Sequence, residues 1–90
     1  MTGERRLRLR DADVHWQDLD GEVVALEARQ SAYLAANPAG SLLWRALVDG
    51  STRDELARGL VDEFGIDHDR ALADTDVFLE QLTAWGLLEP

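Results

Sequence analysis

The sequence contains no cysteine, only two histidines and no long apolar run. The lack of cysteine excludes a disulfide framework, a thiolate zinc site, an iron–sulfur cluster and a cysteine nucleophile. No stretch approaches the roughly 20 apolar residues that cross a bilayer, and the N-terminus lacks the apolar core of a signal peptide. We therefore expect a cytoplasmic protein with no membrane partner.

Length and charge limit the possible functions further. The 90 residues predict one small domain over residues 1–90, which leaves little room for a deep catalytic cavity. All nine basic residues are arginines, and with eighteen acidic residues the net charge is -9. Residues 51–90 contain ten acidic residues against three arginines. This half is expected to repel nucleic acid and attract basic peptides, although an ordinary solvated acidic surface is an equally good interpretation.

No group of residues predicts catalysis, a metal site or a cofactor. His15 and His68 have no partner at the spacing of a helical metal pair. The serines have neither a neighbouring base nor a Gly-x-Ser-x-Gly context, and no phosphate-binding glycine loop is present. The chain is therefore interpreted as a non-enzyme without a cofactor.

The first part of the chain predicts strands. β-branched and apolar residues dominate residues 14–19 and 22–27, and the Asp-Gly pair between them favours a two-residue hairpin turn. Residues 32–35 predict a third strand, antiparallel to the second. Alternating Arg and Leu over residues 7–10 indicates either a further short strand or a basic edge that prevents strand pairing.

From residue 37 the apolar spacing becomes helical, and capping residues and glycines mark three helices. Their limits are Asn37 to Gly50, Thr52 to Gly65, and Asp67 to Gly86. Three strands followed by three helices predict an α+β domain with the helices on one side of an antiparallel sheet. This order is also typical of winged helix-turn-helix proteins.

The third predicted helix argues against DNA as the partner. Arg70 is its one basic residue, and its acidic residues are Asp69, Asp74, Asp76 and Glu80, preceded by Asp67. Because phosphate contacts supply most non-specific affinity for DNA, an acidic reading helix is unfavourable. A degenerate winged-helix regulator stays open only if the N-terminal arginines form a basic surface.

A small sheet beside an acidic amphipathic helix favours peptide binding, in which an extended peptide adds a strand to an exposed edge. The third strand leads directly into the helices and is the predicted docking edge. At 100° per residue, Asp74, Val77 and Gln81 share a flank of the third helix beside its core stripe, and Phe78 borders that stripe. The predicted peptide-binding residues are Ala32, Tyr33, Leu34, Asp69, Ala73, Asp74, Asp76, Val77, Phe78 and Gln81. An adaptor whose edge strand pairs with a folded partner or with itself is the alternative.

The stretch DGEVVALEARQSAYLAANPAGSLLWRALVDGSTRDELARGLVDEFG, followed by DVFLEQLTAWGLL, resembles the PqqD-like proteins. These are recognition elements for the leader peptides of ribosomally synthesised, post-translationally modified peptides (RiPPs), and the resemblance covers residues 12–88. The matching features include the hairpin turn, the Tyr33-Leu34 strand, Trp44 and the Trp85-Gly86-Leu87-Leu88 ending. The sequence departs from the family at Ala35-Ala36, where relatives often have Leu-Asn directly before the helix; here the Asn is displaced to residue 37, at the predicted end of the strand.

The resemblance implies a leader peptide bound as an added strand between the third strand and the third helix. A chain of this length is most similar to the stand-alone leader-binding subunit of lasso-peptide biosynthesis. Its implied partners are the precursor leader peptide and a separate leader peptidase, with a cyclase as a further partner. Related domains serve other RiPP pathways and quinone-cofactor synthesis, so the lasso assignment is the narrower expectation.

Overall fold

The computed structural model describes residues 5–89 and contains the predicted strands and helices in the predicted order. The elements are β1 (Val14–Leu19), β2 (Glu22–Glu27), β3 (Ala32–Ala35), α1 (Pro38–Asp49), α2 (Arg53–Phe64) and α3 (His68–Ala84). The strands form an antiparallel sheet in the order β1-β2-β3, so β2 is central. The predicted α+β class is confirmed.

The hairpin turn fixes which side chains of the sheet face the helices. Asp20 and Gly21 both have positive φ angles, 54° and 90°, as a tight two-residue hairpin turn requires. The resulting register places Trp16 opposite Ala25. Because directly opposite residues share a face, Trp16 lies on the same side as buried Ala25, and Trp16 makes an edge-on contact with Trp44 of α1.

The predicted capping residues begin all three helices. Asn37 and Asp67 accept hydrogen bonds from backbone N–H groups three residues ahead, and Thr52 with Glu55 forms a complete capping box. At the other end of α2, Gly65 is left-handed with φ 66°, a conformation that favours glycine. Local capping chemistry therefore sets the helix boundaries.

The core lies between the helix-facing side of the sheet and the three helices. Trp44 and Leu47 of α1 are fully buried at its centre. The other buried apolar residues are Leu9, Val23, Ala25, Leu43, Leu56, Ala57, Leu60, Ala71, Leu82 and Leu87. Contributions from every helix and from the central strand hold the sheet and helices in a fixed arrangement.

Residues 7–10 form isolated bridges instead of a further strand. Leu7 pairs with Ser51 and Leu9 with Leu88, so this segment joins a loop and the C-terminal residues. Two arginines near these leucines donate hydrogen bonds at the C-terminal end of α1: Arg8 to O of Asp49, its last residue, at 3.3 Å, and Arg6 to O of the capping Gly50 at 3.0 Å. The alternation therefore reflects leucines packed inward and arginines that satisfy a helix C-terminus.

Within residues 5–89, no helix combines the length and the apolar character that a membrane crossing requires.

Candidate functional site

The second half of α3 runs alongside β3, and two contacts define this alignment. Before β3, the Gln30 side chain donates a hydrogen bond to Trp85 O at 3.0 Å. After β3, a Cβ built on Gly40 would lie only 3.2 Å from Phe78 Cε1. The end of α3 and its cap, residues 78–85, therefore lie antiparallel to the segment that contains β3.

A cavity of about 300 Å³ lies between the start of α1 and α3. Leu43, Leu60 and Phe78 give it an apolar part, while Asn37, Asp74 and Gln81 supply polar groups. Val77 also lines it and is 55% exposed, so much of its surface is available to a ligand. The remaining lining residues are Ala39 and Gly40. The cavity is thus suited to an apolar side chain with polar neighbours at its rim.

The outer edge of β3 has backbone groups that the sheet does not use. Ala36 N donates to Val23 O at 2.9 Å, so these two residues form a hydrogen-bonded pair. Hydrogen bonding to a partner strand alternates along an antiparallel strand, so Leu34 also directs its backbone groups to β2. Tyr33 and Ala35 therefore direct their N–H and C=O groups away from β2, toward the unpaired edge.

Ser41 fixes the point at which β3 ends and α1 begins. Its hydroxyl group accepts a hydrogen bond from Val23 N at 2.8 Å and donates one to Ala36 O at 3.3 Å. The side chain is completely buried. It replaces a direct bond between the two strands, so the chain turns into α1 without leaving a buried backbone group unpaired.

A buried ion pair fixes the start of β3. Glu27 is 1% exposed in its side chain and pairs with Arg10, which is 17% exposed. Its other carboxylate oxygen accepts a hydrogen bond from Gln30 N at 2.8 Å. Since a buried charge is costly without partners, this arrangement holds the β2–β3 turn in one conformation.

The acidic residues of α3 have different partners. Asp74 lines the cavity and lies 3.7 Å from Arg70, one turn earlier on the same flank. Asp76 instead accepts two hydrogen bonds from Arg53 of α2, at 2.6 and 2.8 Å. The Arg53 hydrogen bonds hold the pKa of Asp76 below its usual value, while burial acts in the opposite direction and the Arg53 charge adds to the lowering. Asp74 therefore belongs to the cavity rim, and Asp76 links α3 to α2.

The structure brings together part of the predicted peptide-binding set. Asp74, Val77, Phe78 and Gln81 all line the cavity. Asp69 and Ala73 are exposed on α3 and do not line it, and neither does Asp76.

The three β3 residues of that set divide between the two faces of the sheet. Tyr33 lies opposite Leu26 on the face away from the helices and is 68% exposed. Ala32 and Leu34 lie on the helix side and are half-buried.

The sequence analysis missed the residues that α1 and α2 contribute to the cavity. These are Asn37, Ala39, Gly40, Leu43 and Leu60. Asn37 was predicted only as a helix cap, and no prediction was made for Gly40. The position of Gly40 in the first turn of α1 was nevertheless an available signal, because a glycine inside a helix often marks a close approach by another element.

Comparisons with known proteins give one family and two solved structures. The family model for coenzyme PQQ synthesis protein D (PqqD) matches residues 22–88. No curated protein sequence matches the chain significantly. The structure is similar to TbiB1 in complex with the TbiA(beta) leader peptide, with a TM-score of 0.83, 28% identity, and coverage of 91% of this chain and 94% of that one. It is also similar to lasso peptide synthetase B1 complexed with the leader peptide, with a TM-score of 0.80, 25% identity, and coverage of 93% and 98%.

Proposed function

This chain belongs to the PqqD family, and on that premise we propose that it binds the leader segment of a ribosomally synthesised precursor peptide. Both similar structures are of B1 proteins that hold a leader peptide, and each similarity covers more than nine-tenths of this chain. These similarities favour lasso-peptide biosynthesis as the pathway.

The open edge of β3 beside the α1–α3 cavity is the observation that carries this proposal. A leader in extended conformation adds to the sheet by pairing its backbone with Tyr33 and Ala35. Side chains on one face of that added strand then point toward the helix layer, where Val77, Phe78 and Gln81 lie on one flank of α3. Pairing with the backbone of β3 fixes the leader in an extended conformation, and the cavity selects the leader side chain that enters it.

The proposed role is recruitment without chemistry of its own. When the domain holds the leader, the attached core peptide is confined near whichever enzyme the domain contacts. Confinement raises the effective concentration of a substrate by orders of magnitude for a short tether, with no new catalytic group. A separate leader peptidase, and a cyclase after it, are the enzymes that we propose receive the core peptide.

The charge of the chain favours a leader with basic residues. The net charge is -9, and Asp74 contributes a carboxylate to the cavity rim. Arg70 partly balances Asp74, so the attraction acts mainly through the summed field of the domain. Such attraction between exposed charges weakens as added salt shortens the screening length.

Fluorescence anisotropy tests the proposal directly. A labelled synthetic peptide with the leader sequence of the precursor encoded beside this chain is titrated with the purified domain, at low and at high salt. We expect saturable binding with a dissociation constant of about 1 μM or lower, weakened by salt. A folded domain that binds none of the neighbouring leader peptides would contradict the proposal and favour an edge-strand adaptor.

A further inference from the structure

The face of the sheet that is turned away from the helices carries exposed apolar side chains. By register this outer face comprises alternate residues of each strand, and its apolar members are Leu19, Val24, Leu26, Tyr33 and Ala35. Leu19, Leu26 and Tyr33 are 54%, 41% and 68% exposed. An open depression of about 630 Å³ on the sheet is lined by outer-face residues of all three strands, among them Leu19, Leu26 and Tyr33, and also by Trp16 and Ala25. The outer face is therefore an apolar surface that the helices of the domain do not cover.

This surface is continuous with the edge that the proposed function assigns to the leader. Tyr33 and Ala35 have their side chains on the outer face and their backbone groups on the open edge. Residues directly opposite each other in adjacent strands have side chains on the same face. An added strand that pairs with Tyr33 and Ala35 consequently places two of its own side chains on the outer face.

We propose that the part of the outer face next to the open edge, formed by Tyr33 and Ala35 of β3 and by Val24 and Leu26 of β2, is a second recognition surface, which binds the alternate side chains of the same leader strand that do not enter the cavity. This inference rests on the proposed function. It makes the bound leader apolar on both faces over the paired segment, with one set of side chains toward α3 and the other beside Tyr33 and Leu26.

The side chains of β3 indicate what the two outward positions hold. Next to Tyr33, a leader side chain lies against an aromatic ring that Leu26 backs on β2. Next to Ala35 the strand offers only a methyl group, with half-buried Val24 behind it on β2. Strands lie about 4.8 Å apart, so a large apolar leader side chain can extend over Ala35 toward Val24. The outer face therefore fits a bulky aliphatic or aromatic residue opposite Ala35.

Leu19 provides a matched control for this inference. It is an exposed apolar residue of the same face, but it lies on β1, on the far side of β2 from the docking edge. We expect Tyr33→Ala to weaken binding of the labelled leader peptide about tenfold and Leu26→Ala to weaken it severalfold, as truncation of a central aromatic contact does. Leu19→Ala is expected to change the affinity by less than twofold. All three side chains are exposed, so circular dichroism should show folded variants.

An asparagine scan of the leader peptide tests the same inference from the other partner without adding negative charge. If side chains on both faces of the added strand contact the domain, every residue across the paired segment loses affinity when replaced by asparagine. If only the cavity contacts leader side chains, the loss of affinity recurs at every second residue and Tyr33→Ala binds normally. This result overturns the inference while leaving the proposed function intact. Failure of the wild-type domain to bind the leader at all would overturn both.

The oligomeric state of the free domain shows whether a second copy of the chain, rather than the leader, covers the outer face. Light scattering should show a monomer whose mass is unchanged by Leu19→Ala. A dimer that Leu19→Ala dissociates would show that a second copy covers the outer face, and would also overturn the inference.

Discussion

Replacement of Val77 by glutamate is the sharpest test of whether the leader contacts the α3 wall of the cavity between α1 and α3. Val77 is 55% exposed and lines the cavity beside Phe78, so about half of its surface is still free to be buried by a ligand. Complete burial of an aliphatic side chain contributes roughly 1.5 to 3 kcal/mol, which gives about 1 kcal/mol for the remaining half. The carboxylate of Val77→Glu must also lose water when the leader covers it, at a similar or larger cost. Together these effects predict a loss of about 2 kcal/mol, or about thirtyfold in the dissociation constant.

The assay for this change is leader-peptide anisotropy, with urea denaturation as a measure of folding. Stability should change by less than about 0.5 kcal/mol, because the position is exposed and glutamate is at least as good a helix former as valine. Val48→Glu is the matched control, since Val48 is a 36% exposed valine of α1 that lines a different cavity. Both variants add one negative charge, so the difference between them isolates contact at Val77. Equal affinities for the two variants would refute leader contact at this cavity, and an unfolded Val77→Glu would show that Val77 supports the core.

Three further substitutions test the interactions that hold the site in place. Glu27→Ala leaves Arg10 buried without its partner and should lower the free energy of unfolding by about 3 to 5 kcal/mol in urea denaturation; a loss below 1 kcal/mol would contradict the buried ion pair. Thr52→Ala removes the capping box of α2 and should cost about 1 kcal/mol in the same assay, with leader affinity unchanged. For Asp76, whose pKa the Arg53 hydrogen bonds lower, the ion pair stabilises the fold above the usual carboxyl pKa and this stabilisation is lost as pH falls through the lowered value. Asp76→Asn should therefore show a smaller loss of stability than wild type between neutral and acidic pH, and an identical pH dependence would contradict this role.

The secondary structure could be predicted from the sequence because its signals are local. The Asp20-Gly21 turn accepts the positive φ angles of a tight hairpin, and Asn37, Thr52 and Asp67 accept the first N–H groups of their helices. Each of these interactions involves residues close in the chain. The spacing of apolar residues between these signals then indicates whether each segment is a strand or a helix.

Much of the site depends on distant residues, and this part could be predicted only incompletely. Helical spacing grouped Asp74, Val77 and Gln81, but it could not show that α1 supplies the opposite wall through Gly40. Nor could spacing reveal that Asp76 faces Arg53, because that depends on the crossing of α2 and α3. Pairs that form across the fold have no fixed offset in the sequence.

The face occupied by Tyr33 is an intermediate case. Strand alternation places Tyr33 opposite to Leu34, but alternation alone does not say which of the two faces the helices. That choice follows from the register between β2 and β3, which puts Leu34 opposite buried Ala25. The turn between β2 and β3 therefore determines which side of β3 faces the helices.

In the proposed complex, the short edge of β3 limits how much affinity backbone pairing can supply. Tyr33 and Ala35 together offer four backbone groups, and each hydrogen bond contributes about 1 kcal/mol net, so pairing alone gives about 4 kcal/mol. A micromolar complex needs about 8 kcal/mol, after the cost of association has been met. Side chains must therefore supply at least half of the binding free energy, and an added strand has side chains on both of its faces. A strand with small polar side chains would pair too weakly to persist, so the short edge that we propose for the leader also protects the domain from indiscriminate strand pairing.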